Sequence, residues 1–228
     1  RPQLWRRGGP PEQHGGPVST EITADVDRLE AKGTRARKAS GELAKLSSAV
    51  KDRALHGIAD GLKARQEEVL EANEEDMRAG QRDGLSDALT DRLLLDPERL
   101  EGMAADIRNV AALPDPVGEV LETRDLPNGL QVSRRRVPLG VIGAIYESRP
   151  NVTVDIAALC IKSGNAVILR GGKEAIHSNT VLAALIRDQI EDAGVPGDAV
   201  QFVGSTDRAL VGQMLSMKDQ IDLVIPRG

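Results

Sequence analysis

Residues 137–178 read VPLGVIGAIYESRPNVTVDIAALCIKSGNAVILRGGKEAIHS, and this stretch decides the fold. Val141 to Ile145 is a short, β-branched apolar run closed off by charge and proline, which predicts a buried strand. It empties into the polar packet Tyr146-Glu147-Ser148-Arg149-Pro150-Asn151. Pro150 suits the first turn of a helix, because that turn leaves its N–H groups unpaired anyway. Val152 to Lys162 carries apolar residues at helical spacing, Gly164-Asn165 stops it, and Ala166 to Leu169 predicts a second buried strand. Arg170-Gly171-Gly172-Lys173 then opens the next loop. The pattern is a βαβ unit with two polar loops at one sheet edge, where open α/β sheets gather ligands.

Composition sets limits on the rest. With 228 residues the chain can bury a substantial core, and aliphatics must build it, since Trp5, Tyr146 and Phe202 are the only aromatics. A net charge of −5 gives no electrostatic reason to seek nucleic acid or an anionic membrane. One cysteine excludes an internal disulfide and fits a reducing compartment, so a cytoplasmic location is expected. No apolar run has the length to span a bilayer, and the lone histidine of the head makes no metal site.

Residues 1–18 are rich in glycine, proline and arginine and are expected to be a disordered head. Residues 19–116 are expected to form a helical layer, with helices over Glu21 to Lys45, Ser47 to Asn73 and Pro97 to Leu113, a break at 82–86, and charges on solvated faces. Residues 117–137 alternate around Leu126-Pro127-Asn128-Gly129 and predict a hairpin, with strands at Val117 to Leu121 and Leu130 to Arg136. Residues 138–228 form the βαβ core. Its second round has a helix over Ile176 to Ala193, a strand over Ala199 to Val203, a helix over Asp207 to Leu215 and a strand over Ile221 to Ile225. The fold class is α/β, with a parallel sheet and right-handed crossovers.

Arg170-Gly171-Gly172 follows a strand and precedes a helix start that favours anions. The glycines would admit a ligand to the backbone, and Arg170 offers a bidentate grip on phosphate. An ordinary strand-to-helix turn explains the same residues equally well. Glu147 and Arg149 would either pair with each other or leave Arg149 to hold a substrate carboxylate or phosphate, with Asn151 as a donor. Cys160 lies among Ile156, Leu159 and Ile161 in a helix interior and reads as core, because a nucleophilic thiol needs an exposed, electropositive setting.

The segments VPLGVIGAIYESRPNVTVD, LCIKSGNAVILRGGKEAIHSN, GSTDRALVGQML and IDLVIPRG resemble the gamma-glutamyl phosphate reductase family of the aldehyde dehydrogenase superfamily, from about Ala31 to Gly228. The resemblance implies a Rossmann-type sheet and NADPH-dependent reduction of L-glutamate 5-phosphate to L-glutamate 5-semialdehyde in proline biosynthesis. A cysteine thioester would carry the acyl group, phosphate would leave, and NADPH would supply the hydride. It implies that Arg170, Gly171 and Gly172 approach the cofactor's adenosine end, with Lys173 and Ser178 lining the same pocket. Pro226, Arg227 and Gly228 would begin the loop over the cofactor's phosphates. Glu147, Arg149 and Asn151 would lie near the reacting carbonyl. The hairpin would be an arm for pairing into homo-oligomers.

In that family the nucleophilic cysteine lies on a separate domain downstream of the IPRG loop. The resemblance therefore places no catalytic residue within these 228 residues. Two readings follow: a piece of a proline-pathway reductase, or a short form that binds nucleotide or pairs with a longer subunit without catalysis. The first is favoured, because the strand over Ile221 to Ile225 ends in mid-motif.

Overall fold

The computed structural model describes residues 17–227, with side chains described from Arg28 onward. The expected disordered head lies outside the described residues as far as position 16, and helix α1 (Pro17–Leu43) begins there. Helices α2 (Ser48–Ala64), α3 (Gln66–Arg82), α4 (Asp87–Leu93) and α5 (Pro97–Ala112) follow. The single helix expected over Ser47 to Asn73 is thus two helices, turning at Arg65, whose φ of −107° and ψ of 25° leave the helical region. The turn lets both α2 and α3 lie against the later helix α7 (Ile176–Asp192). Gly57 and Gly61 of α2 admit Gln189 of α7 close to the backbone, where an added Cβ at Gly61 would stand 2.9 Å from Gln189 Cγ. Helix α4 escapes periodicity analysis because two turns are too few to show a stripe. Asp96 caps α5 by accepting a 2.7 Å hydrogen bond from the Arg99 nitrogen, and Pro97 occupies the first turn.

Strands β1 (Val120–Asp125) and β2 (Gln131–Arg135) pair antiparallel into a hairpin whose strand residues are all exposed. The first strand is shifted from the expected Val117 to Leu121: it starts at Val120 and runs on to Asp125. Side chains in water on both faces need no apolar alternation. The remaining strands are β3 (Val141–Tyr146), β4 (Ala166–Arg170), β5 (Val200–Phe202) and β6 (Leu223–Arg227), joined by α6 (Pro150–Lys162), α7 and α8 (Ala209–Ser216). They form one parallel sheet in the order β5-β4-β3-β6. Progression from β3 to β5 runs one way and the step to β6 runs back past β3. Right-handed crossovers then put α8 on the face opposite α6 and α7, where it touches α1. Gly164, at φ +75°, takes the left-handed position that ends α6, and the Asn165 nitrogen closes back onto the Cys160 carbonyl at 2.8 Å. Strand β6 runs two residues beyond the expected Ile225. Pro226 and Arg227 therefore lie in a strand opposite Ile145 and Tyr146 and do not start a loop, while Gly228 lies outside the described residues. Among the described residues β6 is the outermost strand of the sheet, and there the missing N–H of Pro226 leaves no described neighbour unpaired.

The helical layer is not solvated charge throughout. Lys51 is 1% exposed, and its ammonium meets Asp115 Oδ2 at 2.5 Å and donates to the Lys162 carbonyl. Lys162 is also buried and donates to Asp52 Oδ1 and to the Ala111 carbonyl, each at 2.6 Å. These bonds tie α2, α5, α6 and the start of the hairpin together. Burial pushes the Asp115 carboxyl up, but hydrogen bonds from Lys51, Ser48 and the Val117 nitrogen outweigh it and hold it below the usual carboxylate range. Asp115→Ala should destabilise the fold by about 2–3 kcal/mol, because it strands a buried ammonium. Lys51→Met combined with Asp115→Ala should recover most of that loss. Urea denaturation followed by circular dichroism reads both, and an unchanged midpoint for Asp115→Ala would remove the pair from the account.

Candidate functional site

The order in which strands are added to the parallel sheet reverses at β3, whose neighbours are β4 on one side and β6 on the other, so the carboxyl ends of β3 and β6 frame the crevice where this topology places ligands. Tyr146, Glu147, Arg149, Val152 and Arg227 line a cavity of about 290 Å³ there. Burial and a 2.6 Å hydrogen bond with Thr153 Oγ1 hold Tyr146 in place, and the burial raises its pKa so that the phenol stays protonated. Thr153 donates to Asn179 Oδ1, also at 2.6 Å, linking the start of α6 to α7 beneath the crevice.

Glu147 and Arg149 do not pair with each other. Glu147 faces Arg92 of α4, with Oε2 3.9 Å from the guanidinium, and no carboxylate among the described residues lies within ion-pair distance of Arg149. Asn151 turns into a neighbouring cavity of about 290 Å³ with Arg92, Arg99 and Asp106. It donates to Asp155 Oδ2 at 3.1 Å. Burial and then the nearby Asp106 push the Asp155 carboxyl above its ordinary value. The three residues expected around one carbonyl are thus divided between two cavities, because successive positions at the start of α6 point to different sides of the helix.

A third cavity, of about 340 Å³, joins the two predicted loops. Arg92, Arg170, Lys173 and Arg208 line it together with Glu147 and Glu174, so four cations face two carboxylates. Arg170 is 8% exposed and donates from Nη2 to the Asp207 carbonyl at 2.9 Å, while its buried Nε has no partner among the described residues. Burial, and then repulsion from Arg208, lowers the pKa of this guanidinium. A buried donor left unpaired costs free energy unless an acceptor joins it. The cavity therefore suits an anion. Arg92 and Glu147 each line two of the three cavities, and their ion pair marks where these meet.

The glycines serve the protein before any ligand. A Cβ on Gly172 would stand 3.0 Å from the Ser148 nitrogen and 3.2 Å from the Glu147 carbonyl carbon. One on Gly171 would collide with Asn179 Nδ2 and approach Tyr146 Cε2 to 3.1 Å. Both glycines let the second polar loop press against the first. Ser178 does not line the cavity with Lys173: it is fully buried, its nitrogen donates to Asp76 Oδ2 at 2.8 Å, and its hydroxyl accepts from Asn73 Nδ2 at 3.1 Å. Asp76 also accepts from the His177 nitrogen at 3.0 Å, which secures the start of α7 to α3. Sequence reasoning missed Arg92 and Arg208. The first lies in the short α4, and the second stands in the GSTDR loop, where its position after a strand is the one available signal.

The cysteine at position 160 is buried, and burial pushes its thiol up to about 12.

A family profile described as the aldehyde dehydrogenase family matches residues 12–228. A gamma-glutamyl phosphate reductase of Dehalococcoides mccartyi is 58% identical over 200 residues, covering 88% of this chain and 47% of that protein. The crystal structure of gamma-glutamyl phosphate reductase from Thermotoga maritima superposes with a TM-score of 0.86 at 40% identity, covering 88% of this chain and 48% of the other. That of the same-named protein from Saccharomyces cerevisiae gives 0.79 at 39%, covering 87% and 50%. The chain spans about half the length of the curated relatives it matches.

At pH 8 the Cys160 thiol should alkylate with iodoacetamide ~10³-fold more slowly than an unhindered thiol, and normally after denaturation, since the thiolate is the nucleophile. Mass spectrometry of the alkylated chain reads this. Rapid labelling of the folded protein would contradict the assignment of Cys160 to the core.

Proposed function

This chain belongs to the aldehyde dehydrogenase family, and from that premise we propose that it forms the cofactor-binding part of a gamma-glutamyl phosphate reductase. The proposed reaction is reductive dephosphorylation of L-glutamate 5-phosphate to L-glutamate 5-semialdehyde, with the nucleophilic cysteine outside these residues. The 58% identity to a reductase of that name supports the choice of substrate. The observation that carries the cofactor is the cavity of four cations around the unpaired Arg170 Nε.

Members of the family use NAD or NADP. Here we assign NADPH, because a 2′-phosphate adds close to two negative charges that Arg170, Lys173 and Arg208 can meet. When bound, this cofactor would supply the hydride. Arg170, anchored to the Asp207 carbonyl, would hold the phosphate in a fixed direction, while the exposed Lys173 and Arg208 close over it. Gly171 and Gly172 keep the two loops together, so that the adenosine end and the switch-point crevice stay in register. Arg149, which shares the crevice with Arg227, is the cation that we assign to a substrate phosphate or carboxylate, with Glu147 beside it and Asn151 in the adjoining cavity. Pro226 and Arg227 would carry the chain to the cofactor from the edge strand, with Gly228 beyond them.

We assign the hairpin β1–β2 to pairing with a second subunit. Val120, Leu121, Leu126, Leu130 and Val132 are all between 39% and 59% exposed, which is apolar surface on a ribbon without a face of its own. Among the described residues no helix is long and apolar enough to cross a membrane.

Titrating the chain with NADPH and with NADH, read by nicotinamide fluorescence, tests the cofactor assignment. NADPH should bind more tightly, and Lys173→Gln combined with Arg208→Gln should weaken it about tenfold while changing NADH less than twofold. Equal losses for both dinucleotides would contradict a phosphate at this cavity. Leu130→Glu should lower the solution mass measured by light scattering, and an unaltered mass would remove the hairpin from the subunit contact.

A further inference from the structure

We infer that the cavity of about 290 Å³ lined by Arg92, Asp106 and Asn151 holds the α-amino-acid head of the substrate, with Arg92 taking its carboxylate and Asp106 its ammonium group. It rests on the reductase reading proposed above and deepens it, since these side chains would tell an amino acid from the same carbon chain without its amino group. Helices α4, α5 and α6 bring one polar side chain each: Arg92, Asp106 and Asn151. Arg99 lines the cavity too, but it is committed to Asp91, to Asp96 and to the Leu94 carbonyl. Arg92 has Glu147 as its ionic partner among the described residues, 3.9 Å away and with both side chains near half exposed. A pair of that length contributes little, which leaves the guanidinium open to a bidentate hold on a carboxylate.

Asp106 forms no ion pair or hydrogen bond among the described residues. It repels the Asp155 carboxylate, and the attraction of Arg227 for Asp155 is the weaker effect. Asn151 stands between these carboxylates and the cavity: its Nδ2 donates to Asp155 at 3.1 Å, and its Oδ1 has no donor among the described residues. An ammonium group has three hydrogens, and Asp106 with Asn151 Oδ1 offers acceptors for two of them. Arg92 and Asp106 line one cavity without pairing with each other, so a ligand bearing both charges on one carbon satisfies each. Leu95 and Met103, both buried, give the wall for its methylenes. The Arg92–Glu147 pair joins this cavity to the crevice, where Arg149 and Arg227 remain for the phosphate.

The probes are L-2-amino-6-phosphonohexanoate, in which methylenes replace the carbonyl and the bridging oxygen of the acyl phosphate, and 6-phosphonohexanoate, which lacks the amino group. Each is titrated into the 228-residue chain by isothermal titration calorimetry. The amino compound should bind about fivefold more tightly, the upper range for a solvent-exposed ion pair. Asp106→Asn should remove that margin without lowering the Tm, since Asp106 is exposed and bonds to nothing described. Arg92→Gln should weaken both compounds alike, because both carry the carboxylate. Equal affinity of the unaltered chain for the two compounds, or a margin that survives Asp106→Asn, would overturn the inference and leave the reductase reading in place. Failure of both compounds to bind would overturn the two together.

Discussion

The Asp222 carboxylate holds the sheet in register. Its Oδ2 accepts from the Val141 nitrogen at 2.7 Å and from Arg37 Nη1 at 2.6 Å, and its own nitrogen donates to the Val141 carbonyl at 2.9 Å. One residue thus locks the start of β3 to the start of β6 and pins α1 beside both. Arg37 holds the carboxyl well below its ordinary range, so the clamp stays charged at neutral pH. A slip by one residue would turn every side chain of β3 to the other face. Tyr146 would then leave its bond to Thr153, and Glu147 and Arg149 would leave the crevice. The geometry at the carboxyl end of the sheet is inherited from a contact at its amino end.

The helical layer is fixed by a different device. Lys51 and Lys162 are buried cations, which survive in a core only where partners replace their water. Their bonds to Asp115, Asp52 and two carbonyls make α2, α5 and α6 one unit. Asp115 also receives the Ser48 hydroxyl at 2.6 Å, so the segment leading into the hairpin is anchored although the hairpin strands are exposed. Asn73 and Asp76 do the same for α3 and the start of α7. Polar groups therefore specify how the layer docks, while aliphatics such as Leu55, Ile58 and Leu62, each fully buried, contribute most of the cohesion.

Sequence alone carried the parallel sheet, because β3 and β4 are continuous apolar runs that nothing but burial on both faces explains. It also carried the stop at Gly164 and the core placement of Cys160. It did not carry the turn at Arg65, since helical periodicity continues through it and only the packing of two helices on α7 demands it. The buried roles of Lys51, Asn73 and Asp76 were illegible for a related reason. A charged residue in a helix is usually solvated, and its exceptions depend on partners 20 to over 100 residues away. The candidate site was half legible: the two loops and Arg170 could be read off, whereas Arg92 reaches the crevice from a helix too short to announce itself. Ser178 was misplaced because a helix start presents some side chains outward and others into the core, and only the packing against Asn73 decides which.

The same packing separates binding from chemistry in these residues. A nucleophile must reach solvent and be ionised, and the thiol of Cys160 is neither, held among the aliphatics of α6 with its pKa near 12. Tyr146 is likewise held protonated by burial, so neither group can attack a carbonyl at neutral pH. The groups that do face the crevice and its neighbours are mostly cations, Arg92, Arg149, Arg170, Lys173, Arg208 and Arg227, set against the carboxylates of Glu147, Glu174 and Asp106. Such groups orient phosphates and balance charge, which is positioning work. The rigid part beneath them, from Tyr146 through Thr153 to Asn179, keeps them a fixed distance from the strand ends. These residues therefore present a preorganised set of cations at one edge of a sheet, and neither Cys160 nor Tyr146 in the core beneath them is both exposed and ionised, as a nucleophile must be.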